Sequence, residues 1–133
     1  MRNSMSVTPR LTRAVPVIFV ADVQTSAKFF RDTLGFSIDF LHGNPPFYGA
    51  VSRDDACIHI KFVHHPVLAL GAEDDADFIN AFVEVDNVDA LYTEYVEAGA
   101  TFHHTLTTES WGGRDFVVRD PDGNAVCFAS RIV

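Results

Sequence analysis

The 133-residue chain has only two cysteines, Cys57 and Cys127, and one tryptophan, Trp111. Two cysteines make no disulfide framework in a domain of this size, which points to a reducing, cytoplasmic setting. Basic residues are also scarce: 10 Lys and Arg against 18 Asp and Glu leave a net charge of −8. Without a basic patch to displace counterions from phosphates, nucleic acid is disfavoured as a partner. No apolar run approaches the roughly 20 residues that span a bilayer, which leaves no membrane anchor to assign. The opening "MRNSMSVTPRLTR", residues 1–13, is polar and basic with no signal-peptide core behind it, and reads as a flexible lead-in. No glycine-rich phosphate loop follows a strand, and no Ser-His-Asp order with a nucleophile turn is visible.

What is present suits one globular domain over 14–133, since 47% hydrophobic and 21% charged residues can build a core. The chain is written twice. "AVPVIFVADV" is a β-branched strand, and "DVQTSAKFFRDTLGF" is a helix that Asp22 or Thr25 can cap and Gly35 can stop. Ala27, Phe30 and Leu34 share one face of that helix. Strands "FSIDFL", "FYGAVSR" and "ACIHIKFV" follow. After the acidic linker at about 65–77 the order restarts. "FINAFVEV" is a strand, and "DNVDALYTEYVEAGA" is a helix with Val88, Leu91, Tyr92, Tyr95 and Val96 on its apolar side. "ATFHHTL", "RDFVVRD" and "NAVCFAS" are the last strands, with "DPDGN" as the final turn. Asp22-Val23 and Asn87-Val88 match at an offset of about 64 to 65 residues. The expected fold is therefore α+β, with helices near 25–33 and 88–98 in two βαβββ modules at about 14–64 and 78–131. Their curved mixed sheets would surround a cleft.

Side-chain alternation divides the faces of each sheet. Ile18, Val20, Ile58, Ile60 and Phe62 should pack beneath a helix. Val15, Val17, Phe19, Cys57, His59 and Lys61 should line the cleft, with Asn80, Phe82, Ala125, Cys127 and Ala129 from the second module. His64-His65 and His103-His104 are neighbours whose side chains diverge on a strand, so neither pair can converge on one metal.

The stretches "AVPV", "FFRDTLGFSIDF", "FYGAVSRDDA", "VDALYTEY" and "WGGRDFVVRDPDGN" together resemble the vicinal oxygen chelate superfamily of glyoxalases, extradiol dioxygenases and bleomycin-resistance proteins. The nearest likeness is to the bleomycin-resistance group. The resemblance implies four metal-ligand places, occupied here by Val15, His59, Asn80 and Cys127. Valine cannot ligate and asparagine is a poor neutral donor, so no metal, no cofactor and no catalytic residue is assigned. It also implies a dimer-interface groove in which aromatic side chains stack on a planar ligand. Phe47 and Trp111 take the stacking places, with Phe40 and Asp39 on the adjoining wall and Arg114 nearby. Tyr48, His59 and Phe82 complete the ligand-binding set. "SWGGRDF" carries one glycine more than the drug-binding pattern.

The expected function is metal-independent sequestration of an aromatic, cationic small molecule of the bleomycin type by a cytoplasmic homodimer. Proline 16 suits an edge or exchanged strand, because it cannot donate to a ladder. The alternatives are a metal-dependent glyoxalase-like lyase or isomerase, or a dioxygenase, with an altered ligand set including His59 and Cys127, and a scaffold that has lost both activities.

Overall fold

The structure, a computed structural model, describes residues 7–65 and 78–130. The first module runs β1 (Val17–Val20), α1 (Val23–Asp32), β2 (Ser37–Gly43), β3 (Pro46–Arg53) and β4 (Ala56–Phe62). The second repeats it as β5 (Ala81–Val85), α2 (Val88–Glu97), β6 (Thr101–Thr108), β7 (Arg114–Arg119) and β8 (Ala125–Ser130). Each module folds into one four-stranded mixed sheet, ordered β1-β4-β3-β2 and β5-β8-β7-β6. The first strand of each is parallel to the last, and the other pairings are antiparallel. Apart from His65, the linker lies outside the described residues, as does most of the first half of the lead-in.

Local chemistry accounts for the helix ends. The Asp22 carboxylate accepts from the Thr25 amide at 3.0 Å, and the Asn87 side chain accepts from Ala90 at 3.1 Å. Gly35 and Gly99 take φ of 76° and 78° just beyond the two helices, where a Cβ would be strained. Strand β1 is shorter than its apolar run because Pro16 has no N–H to donate; its carbonyl still accepts from His59 at 2.9 Å. It is an edge strand.

One apolar core serves both modules. Ala27, Phe30 and Leu34 of α1 and its exit are fully buried against Ile18, Val20, Ile58 and Ile60, and the cluster continues into Val88, Tyr95, Phe116 and Phe128. On α2 the apolar stripe stops one position early: Val96 is exposed. At 100° per residue it stands about 80° round from Val88, on the flank, whereas Tyr95 returns to within about 20°.

Polar bonds then pin the modules together. The Tyr95 hydroxyl donates to the Leu34 carbonyl at 2.7 Å, and Arg53 grips Glu94 with two bonds of 2.7 and 3.0 Å. The "DPDGN" turn is a second staple. The buried Asp120 carboxylate accepts from the amides of Asp122 and Asn124 and from the Asn124 side chain. Thus fixed, Asn124 donates to the Phe19 carbonyl at 3.0 Å, while Asp122 accepts from the Ala21 amide at 3.1 Å. The turn therefore ties the end of β1 to the second module.

Candidate functional site

Strand register places Val17, His59, Ala50 and Phe40 in one row across the first sheet, and Phe19, Lys61, Tyr48 and His42 in the next. Alternation sends both rows away from the core. The face is aromatic: Phe40 and Tyr48 lie nearly parallel, 6.5 Å apart at 11°, with the His59 ring edge-on to both at 6.1 and 5.5 Å. The Tyr48 hydroxyl and His59 Nδ1 are hydrogen-bonded at 2.9 Å, which fixes the imidazole as a wall of the face.

Adjacent residues on a regular strand cannot share a face, yet Asp39 and Phe40 were both expected here. A β-bulge between Ile38 and Phe40 lets Asp39 accept a 2.8 Å bond from the Ser52 hydroxyl, beside the aromatic face. A second irregularity between His42 and Gly43 accompanies Phe47, whose ring meets His42 edge-on at 5.2 Å. The face is open. Val17, Phe19, Phe40 and Phe47 are 42–51% exposed; on the second module Phe82 is 56% and Trp111 50% exposed. Val17, Phe19 and Phe40 fall in adjoining rows of one face, with Phe47 against His42, so they form a contiguous apolar patch and not single scattered residues. Where the two modules adjoin, Ala14–Pro16 and Ile79–Phe82 line an open groove of about 560 Å³.

Trp111 sits at the tip of the β6–β7 hairpin, closed by a bond from the Glu109 amide to the Gly113 carbonyl at 2.7 Å. Gly112 takes φ of 96° to make the turn. The additional glycine has a definite role, because any Cβ at 113 would fall inside the indole ring. Gly113 is the seat of Trp111.

The remaining expected residues fare differently. Arg114 is turned away from the ligand face: its guanidinium bonds Asp89 of α2 at 2.8 Å and the Thr108 hydroxyl at 2.9 Å. It alternates with Asp115 on β7, so the two side chains leave on opposite sides. Ala125, Cys127 and Ala129 are on the expected face but line no open cleft. They are buried with Val117 in a small second cluster, packed against Ile79. Small side chains on a central strand lie below the level of their larger neighbours.

The four metal-ligand places do not suit a metal. Val15 offers no donor atom, and the Asn80 oxygen accepts from the Ala125 amide at 2.8 Å. His59 is bonded to Tyr48. Burial, helped by Asp115 and Glu109, pushes the Cys127 thiol up to about 12, so it is neutral and a poor ligand. A different group went unrecognised in the sequence: His104, Glu109 and Asp115 converge within 4.8 Å. Their spacing follows no metal-binding motif.

Paired βαβββ modules, each a four-stranded mixed sheet, with an exposed aromatic face define one class of fold. The chain belongs to the Glyoxalase/Bleomycin resistance protein/Dioxygenase superfamily, whose family model matches residues 10–128. It is 26% identical to a bleomycin resistance protein of Geobacillus stearothermophilus, over 92% of this chain and 98% of that one. Among solved structures it is 32% identical to the bleomycin-binding protein of bleomycin-producing Streptomyces verticillus complexed with copper(II)-bleomycin, with a TM-score of 0.73 over 94% and 100% of the two chains. The bleomycin resistance determinant encoded on transposon Tn5 shares the fold at a TM-score of 0.73 and 20% identity, over 92% and 100% of the two chains.

Proposed function

We propose that the protein binds and sequesters a planar aromatic, cationic small molecule of the bleomycin type without transforming it. The observation that carries this is the open aromatic face, with Phe40, Tyr48 and His59 in mutual ring contact and Phe47, Phe82 and Trp111 exposed. Flat apolar surfaces of this kind stack on a planar ligand, while the Asp39 carboxylate and a net charge of −8 favour a cationic tail. Arg114, engaged with α2, is not part of the site. Sequestration requires affinity and abundance, and no catalytic group.

The protein acts in the cytoplasm as a homodimer. The exposed face is the surface that a second chain would complete, giving a groove with walls from both protomers. No helix among the described residues is long and apolar enough to cross a membrane. Calorimetric titration with metal-free bleomycin, with sedimentation in parallel, tests the proposal. One ligand per groove and a dimer at micromolar concentration are expected. A monomer throughout that range would remove the shared groove; absence of heat with tens of micromolar ligand would remove the ligand class.

A further inference from the structure

On the cleft side of the second sheet, Asp115 and Val117 project from the same face of β7, and His104 stands opposite Val117 on β6. Between His104 and Thr107 a bulge adds a residue to β6, so that Thr107 rather than Leu106 faces Asp115. Just past β6, Glu109 begins the turn that carries Trp111. Three elements of one hairpin thus bring together an imidazole and two carboxyl groups. His104 Nε2 lies 3.4 Å from Glu109 Oε2 and 3.9 Å from Asp115 Oδ1.

The group is incomplete as a purely internal arrangement. Asp115 is only 8% exposed, and its Oδ1 has no donor; the one side chain its carboxyl engages is the Glu109 carboxyl. His104 Nε2 also has no hydrogen-bond partner, although the His104 side chain as a whole is 43% exposed. A buried acceptor without a donor costs stability, and two carboxyl groups side by side cost more. Burial, with the Glu109 carboxyl beside it, pushes the Asp115 carboxyl up to about 6. The neighbouring Arg114 cannot help, since its guanidinium is bonded on the α2 side. Arg119 is bonded to His103 and to the Gly123 carbonyl. A small positive ion between the three groups would satisfy both orphaned atoms at once.

We propose that His104, Glu109 and Asp115 form a binding site for a divalent transition-metal ion of the zinc class. The donor set, one imidazole nitrogen and two carboxylate oxygens, suits that class, and two carboxylates would neutralise the ion. Metal–ligand bonds of about 2.1 Å place tetrahedral donors about 3.4 Å apart; the His104–Glu109 spacing already matches, the His104–Asp115 spacing needs to contract by about 0.5 Å, and the remaining pair by at most about 1.4 Å. Three protein donors leave a coordination position open. The site uses none of Val15, His59, Asn80 and Cys127 as donors, although Cys127 lies close enough for Asp115 and Glu109 to act on its thiol, and the expectation of a metal-free chain, drawn from those places, does not extend to it. Its occupancy would brace the turn between Glu109 and Gly113, and with it Trp111. The inference does not rest on the sequestration proposed above.

The test is titration of chelator-treated, dialysed protein with zinc and with cobalt(II), read by calorimetry, by cobalt visible absorption and by Trp111 fluorescence. One ion per chain is expected, with a change in indole emission. His104→Ala and Asp115→Asn should each weaken binding by at least about 100-fold, beyond the loss expected for removing a supporting outer group. Cys127→Ser and His59→Ala should leave it unchanged. Asp115→Asn conserves shape, so it decides the matter should His104→Ala melt abnormally. Absence of saturable binding at 1:1 in the micromolar range would overturn the proposal, as would binding that survives Asp115→Asn or is lost in Cys127→Ser.

Discussion

Replacing Trp111 with alanine separates a groove residue from a core residue. A tryptophan side chain can bury up to about 250 Å². Trp111 is 50% exposed, so roughly half of that surface is free for a ligand or a partner chain. Covering about 125 Å² at about 25 cal/mol per Å² gives an upper limit of about 3 kcal/mol. Side-chain ordering at the interface reduces it, so the expected loss of affinity is about 1–3 kcal/mol, or about 5- to 150-fold. The covered half of the indole lies on Gly113, two residues away. So local a contact persists in part in the unfolded chain, and its loss should cost the fold less than about 1 kcal/mol, against about 3–5 for an aromatic removed from a core. Calorimetry with metal-free bleomycin measures the first quantity and a melting curve the second. For the parent protein, quenching of its one tryptophan reports binding directly. Normal affinity in a Trp111→Ala protein that melts far lower would show the indole to be structural, and the stacking groove would lose its strongest residue.

Gly113→Val should weaken ligand binding about as much as Trp111→Ala, because a side chain at 113 displaces the indole from its seat; unchanged affinity in the same titration would dissociate the second glycine from the site. The two changes together should cost little more than either alone, since both act through one ring. Cys127 should resist alkylation in the native protein at pH 8: its folded pKa is raised to about 12, so thiolate forms only well above the range where an ordinary thiol titrates. Mass spectrometry after iodoacetamide treatment checks this, and rapid native labelling at Cys127 would contradict its burial.

Much of the fold was legible in the sequence because its causes are local. The apolar spacing of Ala27, Phe30 and Leu34, the caps Asp22 and Asn87, and the stops Gly35 and Gly99 act within a turn or two of chain. The module repeat and the two faces of β1 follow from the same short-range periodicity. Alternation placed His59 on the cleft face for that reason, whereas Phe40 and Tyr48 entered the ligand set through the family resemblance. What alternation could not supply was register. The bulge that places Asp39 beside Phe40 is a mismatch between two strands, and neither strand reveals it alone. Arg114 was assigned to the ligand face by its position in a motif, but Asp89, on a helix 25 residues away, holds its charge elsewhere. Asn80 and Cys127 were read from residue type alone as unfit ligands. Only packing decided that one would be spent on the Ala125 amide and the other sealed under its neighbours. His104, Glu109 and Asp115 converge through a bulge, a hairpin turn and a strand pairing acting together. Residue type and local periodicity determine which elements form and which face of each is apolar, whereas convergence of polar side chains depends on how separate strands align, and tertiary packing alone sets that.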